Sequence, residues 1–566
     1  MTSCAGVSDN GAVHRSPVYA EKQMVSAANP HATRAGLEIL RSGGGAVDAA
    51  IAVQMVLTLV EPQASGIGGG GFLLHFSPPD QGDSNASMSA YDGRETAPSN
   101  SDESLFLDKK GKPLSWDQRK IGGRSVGVPG ILKMLELAHA QHGKVAWEKL
   151  FQPAIKLARE GFLVSPRLHK MIRNDKFLFS FPGARKFYYL PNGSPLPVGY
   201  RLKNLELADL LERIAKRGTD AFYRGIMAEK IARAVRETHH LPGQIMSEDI
   251  ETYAAKRREI LCNPYRIWII CGMPPPTSGG IAVIQILKLL ERFDMDQLKP
   301  NTAQAVHLIT EASRLAFADR NQYLGDPDFI KISTRKLVDE SYLSSRSALI
   351  SVSNSMGKAE AGEIDLVIGQ NSLIPDEGDQ RPVSTSHISI VDQWGEAISM
   401  TTSVGTPFGS RIMVSGFILN DQLADFAPNP RDQSGNWRAN RPGPGKRPRS
   451  SMSPTLVLDK KRNLVMAVGS PGGSNIIGYV AKTLIGVLDW KLDMQAAIDL
   501  PNFTNKNDRT ELEKGSSLAK LRKDLRSLGH NIRLRTKTSG LHGIRVTLRG
   551  LEGGADTRRE GIVLGD

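Results

Sequence analysis

The sequence predicts a layered α/β protein whose sheets meet in the middle, and three observations carry that expectation. Helical periodicity recurs in several stretches between Pro30 and Asn321. Alternating strand patterns joined by tight turns dominate after Ser384, and a last helical stretch follows the glycine pair Gly472-Gly473. Helices first, strands later and helices again suit an architecture in which helices cover the faces of packed sheets.

Pro30 to Val60 reads as helical, interrupted by a turn at Gly43-Gly44-Gly45. Ser65 to Gly71 is glycine-rich and leads into a strand-like Phe72-Leu73-Leu74-His75-Phe76. Gly66, Gly68 and Gly71 match the dinucleotide fingerprint by letter. That site needs a strand before the glycines and a helix after them, so that phosphate meets a helix N-terminus. Here the order is reversed, which argues against a nucleotide and for a tight turn or a close approach of backbones beneath a site. Helical patterns return at Asn204–Glu237, with a break at Gly218-Thr219, and at Ile281–Phe293 and Thr302–Asn321. From Ser351 to Ser384 the composition shifts to Gly, Ser, Asp and Glu, the texture of a long, mobile surface loop. Strand patterns at His387–Val391 and Ala397–Thr401 flank the turn Asp392-Gln393-Trp394-Gly395. A second hairpin joins Thr455–Leu458 to Leu464–Val468, and Ile476–Trp490 is helical.

The 566 residues include 23% charged and 40% hydrophobic types, ordinary for a soluble globular chain. The formal charge of +13 is mostly dispersed. Its densest exception is Phe426–Arg449, where Arg431, Arg438, Arg441, Lys446, Arg447 and Arg449 face only Asp432. No aromatic-basic recognition motif accompanies the charge, so a solvated basic loop beside an anionic small-molecule site is expected, not a nucleic-acid partner. Cys4, Cys262 and Cys271 have no metal-ligand spacing and leave at least one thiol unpaired, implying neither a disulfide framework nor a metal site. The first twenty residues hold no continuous apolar core, and the apolar run Ala49–Val60 is shorter than the roughly 20 residues a bilayer span needs. The expectation is a cytoplasmic chain with no membrane partner, or a periplasmic or secreted one if the start is misassigned.

The chemistry concentrates around Ser384-Thr385, where the polar loop meets a strand. A cut between these two residues makes Thr385 both a hydroxyl nucleophile and, through its freed α-amine, a base. That amine ordinarily titrates at about 7.7–8.0, close to working pH. Gly469-Ser470-Pro471-Gly472-Gly473-Ser474, between a strand and a helix, suits an oxyanion hole. Ser450-Ser451 offers paired hydroxyls, Asn420–Phe426 carries amides and carboxylates able to hold an ammonium, and Arg94 offers a fork for a carboxylate.

Together with His31–Gly36, Gly45–Ala50, Arg94–Pro98, Pro274–Gly280 and Gly553–Gly561, these motifs resemble the gamma-glutamyltransferase (gamma-glutamyltranspeptidase) family over nearly the whole chain. The resemblance implies an α+β fold, the four-layer αββα sandwich of N-terminal nucleophile hydrolases. It also implies self-cleavage into a large subunit, 1–384, and a small subunit, 385–566. Thr385 would be the nucleophile, supported by the Ser403 hydroxyl, with Gly472 and Gly473 as the oxyanion hole. Arg94, Ser450 and Ser451 would hold the glutamyl α-carboxylate, and Gln422 and Asp425 its α-ammonium. Pro428–Arg449 would be a lid, with Trp437 as its covering aromatic. The implied activity is cleavage of glutathione or another γ-glutamyl amide and acyl transfer to water, an amino acid or a peptide, with no metal or organic cofactor.

One position departs from the family pattern. Gly405 stands where the family carries Asn or Glu, so a side-chain contact to the substrate head group is missing. Such a contact to a charged group is worth on the order of 1.5–3 kcal/mol. That opens one alternative, a glutaryl or cephalosporin-type acylase of the same superfamily; an uncleaved, non-enzymatic relative is a separate one.

Overall fold

Strand Ser386–Val391 shows how the pattern of the chain builds layers. Ile388 and Ile390 enter one buried cluster with helices Pro30–Arg41 and Ala46–Val60, whereas Val391 joins a second cluster on the opposite face. A strand alternates its side chains, so covering on both faces places it inside a sandwich. The computed structural model describes residues 15–79, 86–331, 333–364, 384–431 and 435–566.

Two seven-stranded antiparallel sheets form the centre. The first runs Ile562–Gly565, Met24–Ala27, Ser386–Val391, Ala397–Ser403, Gly70–Ser77, Ser87–Gly93, Lys256–Arg258. The second runs Val18–Ala20, Gly550–Ala555, His542–Thr547, Leu464–Gly469, Thr455–Leu458, Trp268–Gly272, Leu261–Tyr265. Small polar residues lock the faces together: Ser26 Oγ lies 2.9 Å from His542 Nδ1, and Ser399 Oγ donates to Val468 O at 3.0 Å. Helices Pro30–Arg41, Ala46–Val60 and Ile131–His142 pack on the first sheet. Gly279–Leu290, Ala303–Tyr323 and Ile476–Leu488 pack on the second, completing the four αββα layers. Ala46–Val60 is buried at every position, which accounts for its unbroken apolar run. Among the described residues no helix is long and apolar enough to cross a membrane.

Met24–Ala27 pairs with Ile562–Gly565 on one side and with Ser386–Val391 on the other. Segments from before and after the Ser384-Thr385 bond thus alternate within one sheet. A cut there leaves both pieces in a shared core.

Three expectations need correction. Cys262 and Cys271 are directly opposed across the hairpin Leu261–Tyr265/Trp268–Gly272 and form a disulfide; the tight turn at Arg266-Ile267 supplies a proximity that spacing alone does not reveal. Most of the basic segment is not solvated: Arg438, Lys446, Arg447 and Arg449 are buried, Arg441 is half-buried and Arg431 alone of the six is exposed. Lys446 Nζ donates to Ala439 O and Arg441 O, both at 2.9 Å, and Arg449 Nη1 to Arg320 O at 2.9 Å, so the cations satisfy carbonyls of the segment itself and of a helix end. Part of the expected loose loop, residues 351–364, is pinned. Ser355 N–H donates to Leu528 O at 2.7 Å, Met356 N–H to Glu311 Oε2 at 2.7 Å and Gly362 N–H to Asp319 Oδ1 at 3.0 Å. The remainder up to 383, like Cys4 and the first fourteen residues, lies outside the described residues.

Candidate active site

Thr385 sits just before strand Ser386–Val391 with φ +90°, a conformation that β-branched residues rarely adopt. Its N–H donates to Ala64 O at 3.2 Å, and its carbonyl accepts from Arg559 Nη1 at 2.8 Å. The Ser384 hydroxyl donates to Gln63 O. Both residues flanking the predicted cut are therefore clamped by backbone that follows helix Ala46–Val60.

Antiparallel pairing of Ser386–Val391 with Ala397–Ser403 brings Ser403 beside the nucleophile. Thr385 Oγ1 lies 2.9 Å from Ser403 Oγ, which accepts the Gly405 N–H at 2.9 Å. The glycine run now has a physical reason. A Cβ on Gly69 would lie 2.1 Å from Ser403 O, and one on Gly68 2.1 Å from Ile418 O. Only bare backbone fits beneath the site, as the reversed fingerprint implied.

A cavity of about 80 Å³ gathers most of the predicted set: Arg94, Ser384, Thr385, Ser403, Gln422, Asp425, Ser450, Ser451 and Gly473. Gly472 stands one residue behind the wall, where a Cβ would meet the Tyr479 ring at 2.7 Å. Arg94 is fully buried and donates Nη1 to Gln422 Oε1 at 2.7 Å, Nη2 to Asp425 Oδ2 at 2.6 Å and Nε to Pro448 O at 3.0 Å. Glu95, also fully buried, is pushed up to about 8 by burial, against the pull of Arg94.

Trp437 does not cover the cavity. It is sandwiched between Arg431 and Arg441, at 3.1 and 4.6 Å from ring centroid to guanidinium carbon, and packs toward Ile330 and Ala439. Trp116 and Phe426 supply the aromatic wall instead.

Sequence reasoning missed two charged members. Arg320, on helix Ala303–Tyr323, donates Nη2 to Ser451 Oγ at 2.7 Å and Nε to Ser278 Oγ at 2.9 Å. No local pattern marks it, because its partners come from distant segments. Asp421 lies inside the Asn420–Phe426 turn and occupies the space that a side chain at 405 would need: a Cβ there would be 1.7 Å from Asp421 Oδ1. Burial pushes Asp421 up to about 6, with Arg411 opposing, and Oδ1 accepts the Thr406 N–H at 2.8 Å.

Buried Arg94, with Asp421 and Asp425 in the same lining and Arg320 and Arg449 as further cations, offers both signs of charge that an amino-acid head group needs, and the Thr385 and Ser403 hydroxyls share the cavity. A group of metal-ligand type lies elsewhere: His307, Glu311 and His530, with ligand atoms within 4.8 Å of one another. Their atoms are already engaged. His307 and His530 bond each other at 2.7 Å, His307 Nε2 bonds Ser351 O at 2.7 Å, and Glu311 accepts from Arg314, Ser355 and Met356. The group is a staple on the 351–357 segment.

A family model described as gamma-glutamyltranspeptidase matches residues 32–565. The chain is 36% identical over 556 residues to the glutathione hydrolase proenzyme of Escherichia coli (strain K12), covering 96% of this chain and 91% of that one. It is 32% identical over 508 residues to the Acylase ACY 1 proenzyme of Pseudomonas sp. (strain SE83), covering 88% and 85%. Among solved structures, cephalosporin acylase from Bacillus halodurans is similar with a TM-score of 0.82 at 25% identity, over 100% of this chain and 99% of that one.

Proposed function

The chain belongs to the gamma-glutamyltranspeptidase family, and on that premise we propose that it cleaves γ-glutamyl amides, glutathione among them, through an ester on Thr385. The acyl group then passes to water or to the amine of an amino acid or peptide. The observation that carries this reading is the meeting, in one small cavity, of Thr385 Oγ1 and Ser403 Oγ with buried Arg94 and its partner Asp425.

Maturation comes first. Thr385 Oγ1 attacks the Ser384 carbonyl carbon, the peptide shifts to an ester, and water releases chains 1–384 and 385–566. The positive φ of Thr385 supports this step, since strain of about 1–3 kcal/mol is stored next to the bond that breaks. In turnover the freed α-amine takes the Oγ1 proton as Oγ1 attacks the γ-carbonyl carbon. Backbone N–H groups at Gly472 and Gly473 receive the oxyanion. Collapse breaks the C–N bond, and the α-amine returns the proton to the leaving nitrogen. Arg94, Ser450 and Ser451 hold the α-carboxylate, while Gln422 and Asp425 hold the α-ammonium. Asp421 beside Gly405 adds a second carboxylate at that end. The Cys262–Cys271 bond favours an oxidising, exported location over a cytoplasmic one.

Intact mass and N-terminal sequencing of the purified protein, with glutamate release from glutathione, test the reading. A small chain starting at Thr385, and loss of both maturation and turnover in Thr385→Ala, are expected. A different N-terminus or an active alanine variant overturns it, and a single uncut band supports the non-enzymatic alternative. A second reading, a glutaryl-type acylase, draws on Gly405 and on the acylase relative. Faster turnover of a glutaryl anilide than of the γ-glutamyl anilide would favour it.

A further inference from the structure

A second cavity, of about 700 Å³, adjoins the first. Their walls are consecutive in the chain: Thr406 and Ser474 line the smaller cavity, Pro407 and Asn475 the larger. Arg559, in the wall of the larger one, is the residue that bonds the Thr385 carbonyl. The smaller cavity, at about 80 Å³, falls well below the roughly 300–1,000 Å³ of whole-ligand clefts. It accommodates an amino-acid head, so the rest of an amide substrate must lie outside it.

The larger cavity is walled by cations. Arg167, Lys170, Lys506, Arg535, Lys537 and Arg559 line it, against the acids Glu511 and Glu560. A further arginine, Arg558, is engaged by Glu513 at 2.7 Å and Asp556 at 3.1 Å. Glu511 is shared by Lys537 at 2.6 Å and Arg535 at 3.6 Å, and Glu560 accepts the Arg167 backbone N–H at 2.9 Å. With Glu61 3.6 Å from Arg167 counted as well, the lining still carries a positive surplus. Burial pushes Lys537 down to about 8, with Glu511 opposing the shift. A third cavity nearby is close to balanced, with Asp117 and Asp175 against Lys120, Lys176 and Arg411, so the surplus there is smaller.

We propose that the larger cavity binds the amine partner of acyl transfer and selects amines that carry carboxylates, acidic peptides above neutral ones. The inference rests on acyl transfer at Thr385. By microscopic reversibility the leaving amine and the attacking amine share one path, so a site that holds the departing peptide also holds the acceptor. In the transfer step the neutral acceptor nitrogen bonds to the ester carbonyl carbon and the C–Oγ1 bond breaks. The nitrogen's proton passes through the Thr385 α-amine to Oγ1. The wall cations touch none of these atoms and act by positioning the acceptor's carboxylates.

The test uses the matured enzyme, a γ-glutamyl anilide as donor, and the peptides Glu-Glu-Glu and Gln-Gln-Gln as acceptors of matched length and different charge. A KM at least tenfold lower for Glu-Glu-Glu is expected in the wild type, narrowing as salt rises. In the double variant Lys170→Glu/Arg535→Glu that preference is expected to vanish or invert. Equal KM values in the wild type, or a preference that survives charge reversal, overturn the proposal. Absence of anilide release with or without acceptor rejects the acyl-transfer reading instead. Calorimetric titration of Glu-Glu-Glu then still decides the cavity: binding at least tenfold tighter to wild type than to the double variant supports it, and equal binding overturns it.

Discussion

Replacing Ser403 with alanine isolates one hydrogen bond at the reacting oxygen. Ser403 Oγ accepts the Gly405 N–H at 2.9 Å and lies 2.9 Å from Thr385 Oγ1, within reach to donate its proton there. A donor at that position stabilises the negative charge that develops on Oγ1 whenever the acyl–oxygen bond forms or breaks. A hydrogen bond to a charged group is worth about 1.5–3 kcal/mol, and about 1.4 kcal/mol is a factor of ten in rate. Ser403→Ala should therefore lower kcat roughly tenfold to a hundredfold and slow maturation by a similar factor, with KM nearly unchanged. The variant also leaves the Gly405 N–H without its acceptor, and a fall in thermal midpoint should accompany the kinetic loss. Appearance of the two fragments on denaturing gels and initial rates on a γ-glutamyl anilide read the two effects separately. Maturation and kcat both within twofold of wild type would refute the reasoning. So would a rise in KM alone, since that places the contact in substrate binding.

Arg94→Lys replaces a fork that reaches Gln422, Asp425 and Pro448 at once with a single ammonium. Initial rates should show KM rising at least tenfold for both γ-glutamyl and glutaryl anilides, because both retain the carboxylate that Arg94 is proposed to hold. Glu95 has a folded-state value of about 8, raised from 4.5, so the folded state keeps a proton that the unfolded chain releases. Its contribution to stability is full below pH 4.5 and is lost as pH rises through 8, at most about 1.4 kcal/mol per pH unit. Glu95→Gln should flatten the fall in thermal midpoint between pH 5 and 7, and parallel curves for the two proteins would count against it. After maturation the two fragments should elute as one species in native size-exclusion chromatography, because Met24–Ala27 is hydrogen-bonded on both edges to small-chain strands. Separate elution in native buffer would contradict the interleaved sheet.

Elements that depend on their own residues were legible in the sequence. The alternation of Ser386–Val391 and the periodicity of Ala303–Tyr323 follow from side-chain direction along a strand or helix, and the glycines at 66–71 follow from the space a Cβ would take. Features that depend on a partner far along the chain were not. Arg447 and Arg449 look solvated until carbonyls at 254, 320 and 324 are brought to them, and Arg320 looks like any helical arginine until Ser451 meets it. Gly405 separates the two kinds of information. In sequence it is a lost side chain; in three dimensions the place of that side chain is taken by the Asp421 carboxylate, held by Thr406. A loss and an exchange predict opposite results for Gly405→Asn. If the position were merely vacant, asparagine would restore a head-group contact and raise preference for γ-glutamyl over glutaryl anilide. With a Cβ at 1.7 Å from Asp421 Oδ1 and φ at +103°, asparagine must instead displace a buried carboxylate and adopt a strained backbone. Gly405→Asn should lower the thermal midpoint and γ-glutamyl turnover together. A variant of unchanged stability with a sharper γ-glutamyl preference would mean that Asp421 is not the replacement for the missing side chain.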